Sequence, residues 1–170
     1  MLRLIFSAGI FALLLCNTQA DEYWGNCTRS PEVSAELRIR DCTDRINKGS
    51  MIFDDREAVI RRGQAYLDSG QYRLAIADYD HALSGHFIEG YVSDDVLLQR
   101  GVVYALLGDF QRAGNDIDAA LSWAHGMHPA NDPIFVKINA VRALLVAVQN
   151  GIQSPDVLRQ VLESRVHQEE

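Results

Sequence analysis

Residues 62–83 read RGQAYLDSGQYRLAIADYDHAL, and residues 100–121 read RGVVYALLGDFQRAGNDIDAAL. The second stretch echoes the first at one offset: 101−63, 104−66, 108−70, 110−72, 113−75, 116−78 and 120−82 are all 38. Self-similarity of about 20–50 residues is the signature of a repeat architecture. Within each unit the small residue, the tyrosine and the glycine fall as they would on a helix, its end and a turn. Gly63, Ala65 and Tyr66 share a first helix, and Gly70 follows it where a left-handed residue ends a helix. Ala75, Tyr79 and Ala82 then recur at helical spacing on a second helix. Small residues on both helices allow close approach, and Tyr66, Tyr72 and Tyr79 fill the space between. The unit is therefore a helical hairpin that buries its apolar face only by stacking on neighbours.

Together these residues resemble the tetratricopeptide repeat, whose pattern runs small residue, Tyr, Gly turn with a following aromatic, Ala, aromatic, Ala and Pro. Val59 and Phe87 stand at the first aromatic and the closing Pro of the first unit, and Leu97 and Ile117 at two aromatic sites of the second. The period of 38 exceeds the usual value of about 34, and the connector Ser84–Ser93 with its two glycines accommodates the difference. The resemblance implies an all-α, right-handed superhelical array that binds proteins. It also implies a concave face lined by the first helix of each unit. Its members would be Glu57, Ile60, Gln64, Leu67 and Asp68, then Asp95, Leu98, Val102, Ala105 and Leu106. Repeats that grip a peptide carboxylate use Lys, Arg and Asn where this chain has Ile60, Gln64 and Gln99. An apolar helix or extended segment with basic flanks suits such a strip better. The competing possibility is that the chain's own terminal helices cover it.

The chain begins with Arg3, an apolar run from Leu4 to Leu15 and Thr18-Gln19-Ala20, which predicts a secretory signal over residues 1–20. An uncleaved anchor and a lipid on Cys16 compete with this. The run is short for a membrane span, and Leu15 stands where a lipidation signal has a small residue. Without residues 1–20, two cysteines remain, Cys27 and Cys42, an even number that favours a structural disulfide in an exported chain. Closing that loop of about 15 residues contributes roughly 3 kcal/mol in the chain-entropy model. The formal charge moves from −7 to −8 as Arg3 leaves. That balance argues against nucleic acid, whose phosphates require Lys and Arg. No stable membrane insertion is expected after cleavage.

Residues 21–50 form a cysteine-bearing preface. Ser30-Pro31-Glu32 reads as a helix start, with Ser as cap, Pro in the first turn and an acid beside it. Lys48-Gly49 reads as its end. The string Cys27, then Cys42-Thr43-Asp44-Arg45-Ile46 and Gly49, ahead of the repeats, resembles small exported repeat proteins of Alphaproteobacteria. That resemblance implies a periplasmic or secreted location. The repeats occupy 51–123. In 124–170, a loop from Ala124 to Asp132 leads to a helix starting at Pro133 and ending at Asn150-Gly151. A further helix starts at Ser154-Pro155-Asp156 and runs through Val166, so the pair forms a third, degenerate repeat or a cap.

Few residues invite chemistry. His125 and His128 could serve a metal or a hydrolytic site with Asp132, but the spacing falls in a Gly- and Pro-bearing loop. His81 and His86 flank a helix end. Gly-rich phosphate loops, Gly-x-Ser-x-Gly elbows and His-Glu-x-x-His helices do not occur. Asp54-Asp55 and Asp94-Asp95 open helices, where the dipole stabilises acids. The sequence thus points to a non-enzymatic binding module with no cofactor or metal. A metal-dependent hydrolase built on His125 and His128, or a self-associating structural protein, is the alternative.

Overall fold

A computed structural model describes residues 25–49, 55–84 and 93–163. Residues 1–20, expected to be a signal, most of the connector with His86, and the C-terminal tail lie outside them. The described residues form seven helices and no strand. These are α1 (Ala35–Lys48), α2 (Arg56–Asp68), α3 (Tyr72–Leu83), α4 (Ser93–Leu106), α5 (Phe110–Met127), α6 (Pro133–Gln149) and α7 (Asp156–Glu163). The fold is all-α and repeat-like, with the hairpins α2–α3 and α4–α5 at its centre.

The glycine landmarks act where the sequence places them. Gly70 and Gly108 end α2 and α4 with φ of 74° and 78°, a conformation that costs a side-chain-bearing residue dearly. Gly63 and Gly101 serve a different purpose. A Cβ on Gly63 would meet Tyr79 Cε1 at 2.8 Å, and one on Gly101 would meet the Ala113 carbonyl at 3.2 Å. The hairpins close because these positions are bare.

Each hairpin also carries the same ionic clasp. Arg62 donates from Nε and Nη2 to the two carboxylate oxygens of Asp78 at 2.8 and 2.7 Å, and Arg100 does the same to Asp116 at 2.8 and 2.7 Å. Both acids are buried. Fork-to-fork pairing of this kind gives direction as well as energy. Each guanidinium lies over the tyrosine one turn on, 5.9 Å from the Tyr66 ring and 5.8 Å from the Tyr104 ring. Arg62, Tyr66 and Asp78 stand 38 residues before Arg100, Tyr104 and Asp116, so the clasp is part of the repeat.

Two boundaries differ from the sequence reading. The N-terminal helix starts at Ala35, not at Pro31, because Ser34 accepts from the Leu37 amide and caps it. Residues 28–33 instead form a turn that brings Cys27 back onto the helix. The Cys27 and Cys42 sulfurs lie at bonding distance, 2.08 Å, and pack on Ala58 of α2. At the other end of the repeats, α5 runs on to Met127 through the region expected to be loop. Ala124 is fully buried, and that contact extends the helix by a turn. Asp132 then caps α6 by accepting from the Ile134 amide at 2.8 Å, with Pro133 in the first turn.

The helices do not form a simple two-layer stack. α4 packs most extensively on α5 and α3 and also touches α2, α6 and α7. Val96–Gln99 and Gly101–Ala105 are all buried, so along that length only Arg100 of α4 reaches solvent. α1 lies along α2, and α7 sends Leu158 into the same core.

Candidate functional site

The first helices of the two repeats were expected to line an open apolar groove. Five of its ten members, Ile60, Leu67, Leu98, Val102 and Ala105, lie in the hydrophobic core with at most 1% of their surface exposed. The physical reason is the company those helices keep: α1 packs on α2, and α6 and α7 both reach α4. Apolar surface that an open array would offer to a partner is thus buried within the chain. Leu106 is half-buried and packs at the core's edge.

Bordering that buried strip is a polar network that spans three helices, partly exposed at Glu57, Arg61, Asp95 and Lys137. Glu57 and Asp95 are equivalent (95−57 = 38), as are Arg61 and Gln99 (99−61 = 38). Each pair bonds within its own helix: Arg61 Nε donates to Glu57 at 2.8 Å, and Gln99 Nε2 donates to Asp95 at 2.8 Å. Lys137 of α6 reaches the other Asp95 oxygen at 3.2 Å. Arg29 comes from the segment before α1 and bridges the repeats, 3.3 Å from Asp95 and 3.5 Å from Glu57. Arg61 also donates to the Cys27 carbonyl at 2.9 Å, so the cysteine segment is tied to the same rim. Below it, Tyr79 donates its hydroxyl proton to Gln99 Oε1 at 2.9 Å, inside the core. Farther along α2, Asp68 accepts from Gln64 at 3.0 Å and from the buried Arg38 at 2.6 Å.

The electrostatics fit recognition better than proton transfer. Burial pushes the Asp95 carboxyl upward, but Lys137 and Arg29, with the bonds from Lys137 and Gln99, hold it below the usual carboxylate range. Burial, reinforced by Asp95 and Asp68, pushes the Tyr79 hydroxyl well above its usual range. Both groups move away from neutrality, the opposite of what a general acid or base needs.

His125 and His128 do not converge. His125 stacks against Phe135 with ring centroids 4.8 Å apart. His128 lies between two carboxylates on different sides of its ring, Nε2 3.1 Å from Asp94 and Nδ1 3.2 Å from Asp132. That geometry straps the end of α5 to the starts of α4 and α6. It points the two ring nitrogens away from any common ligand position. Among the described residues no group of three or more His, Cys, Asp or Glu side chains is arranged to hold a metal ion. Nothing here supports the hydrolytic alternative.

Arg29, Arg61 and Lys137 escaped the sequence reading. Glu57 and Arg61 at i and i+4 were a visible signal for one of them. Arg29 and Lys137 reach the rim only through tertiary packing.

Residues 57–84, nearly all of α2 and the whole of α3, match the family model described as Tetratricopeptide repeat. Neither curated proteins nor solved structures gave a match. With its glycine-hinged hairpins, the chain contains a tetratricopeptide repeat within an all-helical fold of that type.

Proposed function

We propose that this chain is a non-enzymatic protein-interaction module of the bacterial envelope, exported to the periplasm and joined there by a Cys27–Cys42 disulfide. The observation that carries the reading is the tetratricopeptide repeat at 57–84, a unit that generally mediates contacts between proteins. The signal-like residues 1–20 and the cysteine sulfurs at bonding distance support the compartment. Among the described residues no helix is long and apolar enough to cross a membrane.

The working surface in this reading is the polar rim of Glu57, Arg61, Asp95, Lys137 and Arg29, with Gln64, Asp68 and Leu106 continuing it along the first helices. Its charges alternate and are already neutralised in pairs. A peptide segment with polar or charged side chains can exchange one partner for another there without leaving a charge stranded.

The test is retention of envelope proteins on the mature chain, compared with an Arg29→Ser, Lys137→Ser variant whose melting temperature is measured in parallel. A protein held by the wild type and released by the folded variant is the expected result. Identical profiles from both would remove the rim as the binding surface.

A further inference from the structure

The stretch Gly25–Val33 ahead of α1 runs past the first repeat and touches the second through Arg29. Of its residues only Cys27 is fully buried, packed with Cys42 of α1 against Ala58 of α2. The rest is held by polar contacts. Asn26 Nδ2 donates to Asp41 at 2.8 Å, Arg61 donates to the Cys27 carbonyl at 2.9 Å, and Arg38 Nε donates to the Val33 carbonyl at 3.0 Å. Arg29, with 40% of its side chain exposed, spans Glu57 and Asp95. Exposed ion pairs contribute little, and a stretch with one buried residue has little else to offset the entropy of being ordered. A bond from Cys27 to Cys42 supplies the missing constraint, because it keeps the stretch beside α1 and α2 even when the polar contacts break.

Arg29 is also the rim cation that can leave without stranding a charge. Glu57 keeps Arg61 at 2.8 Å, and Asp95 keeps Lys137 at 3.2 Å and Gln99 at 2.8 Å. Arg61 and Lys137 are fixed on α2 and α6. Arg29 stands two residues after Cys27 on a stretch without helix, so its place on the rim depends on what holds Cys27.

We propose that Cys27 and Cys42 form a thiol–disulfide switch for the rim: oxidised, they hold Arg29 across Glu57 and Asp95, and reduced by a dithiol, they release Gly25–Val33 and carry Arg29 off the binding surface. This rests on the rim as the working surface and on the two cysteines being bonded, and it adds the regulation of that surface. Both sulfurs are fully buried, so a thiolate reaches them only when the stretch lifts. One thiolate of the dithiol attacks a sulfur to form a mixed disulfide and expels the other cysteine. Its second thiolate then displaces the cysteine still attached. The dithiol is oxidised to a disulfide, and its two electrons and two protons end on Cys27 and Cys42 as thiols. The rim then loses a cation and its bridge between the repeats.

Trypsin cleavage after Arg29, followed by mass spectrometry on the folded mature chain, reads the switch without any partner. Proteolysis of a segment follows the population of its opened form. Chain reduced with dithiothreitol and desalted under nitrogen, like a Cys27→Ser, Cys42→Ser chain, should be cut after Arg29 at least about tenfold faster than the oxidised chain. In the reduced chain this cut should precede any after Arg112, which is exposed on α5 but lies within a helix. Reoxidation with glutathione disulfide should restore protection. An Arg29→Ser chain should be reduced about two- to fivefold faster than the wild type, since the ion pairs that hold the stretch down are gone. Equal cleavage after Arg29 in oxidised and reduced chains overturns the proposal. So do cuts after Arg29 and Arg112 that appear together, which would make the disulfide a staple of the whole fold. Protection not regained on reoxidation, or an Arg29→Ser chain reduced no faster than the wild type, overturns it too. Failure of the rim reading looks different: it is equal retention of envelope proteins by the wild type and the Arg29→Ser, Lys137→Ser variant, whatever the cleavage pattern.

Discussion

Replacing Gly63 by Ala and Gly114 by Ala should move stability in opposite directions, although both residues lie inside helices. In each case alanine gains about 0.5–1 kcal/mol over glycine through the unfolded chain and helix propensity. At Gly114 a new Cβ meets nothing within 4 Å, so that gain stands alone. At Gly63 the new Cβ would lie 2.8 and 3.1 Å from two Tyr79 ring carbons and 3.3 Å from Asp78 Cβ. The Tyr79 ring is fully buried and its hydroxyl is held by Gln99, so it has little room to turn. Overpacking of this kind costs about 1–3 kcal/mol. A contact of 2.8 Å takes the upper half of that range, about 2–3 kcal/mol, so less the propensity gain Gly63→Ala should lose about 1–2.5 kcal/mol. For a domain of this size that is about 2–10 °C in melting temperature. Urea and thermal unfolding followed by circular dichroism measure both variants on one scale. A Gly63→Ala protein as stable as the wild type would refute the reasoning, since it would mean that the α2–α3 approach does not depend on a bare Cα.

Three further outcomes follow from contacts described above. Reducing the proposed Cys27–Cys42 disulfide, or replacing both cysteines by Ser, should lower stability by about 3 kcal/mol, read as a drop in melting temperature on adding dithiothreitol. The double-Ser protein should show no such drop. Because the folded carboxyl of Asp95 titrates below its unfolded value of about 4, its contribution is present above that pH. It is lost as pH falls through the lower folded value. A pH series of melting temperatures should therefore show a slope in the acid range that Asp95→Asn reduces. Arg100→Met and Asp116→Asn, combined in a double-mutant cycle, should show a coupling of about 1–3 kcal/mol. A coupling near zero would mean that the clasp is replaceable by water.

The hairpins were legible because their determinants are local. Gly63, Gly70, Tyr66, Ala75 and Tyr79 fix helix, turn and close approach within one unit, and their recurrence marks the second. The start of α1 was misread because Ser30-Pro31-Glu32 has the composition of a helix cap. Ser34 is the residue that makes the bond, and the need to return Cys27 to Cys42 keeps residues 28–33 in a turn. The extra turn of α5 depends on the burial of Ala124, which no local pattern announces. The clasp was partly visible, since arginine and aspartate both recur at one offset, but residues 16 apart in sequence give no sign of pairing. The candidate site was least legible. Whether Leu98 and Val102 face a partner or the chain's own helices is decided by where α1, α6 and α7 come to rest, and their sequences say only that each has an apolar side.

The contacts of α4 with five other helices have a consequence for how this molecule can change over time. In an open solenoid each unit meets only its neighbours, so units are added, dropped or frayed at the ends at small cost. Here the second repeat's first helix is held by helices from before, beside and after it. Removing or inserting a hairpin would uncover the apolar length of a helix, Val96–Leu98 and Val102–Ala105, that is buried among its neighbours. The number of repeats is therefore fixed by packing. The amides of α4 should exchange with solvent only when the whole domain opens, and variation between descendants of this sequence should collect in surface side chains and connectors while the number of units stays constant.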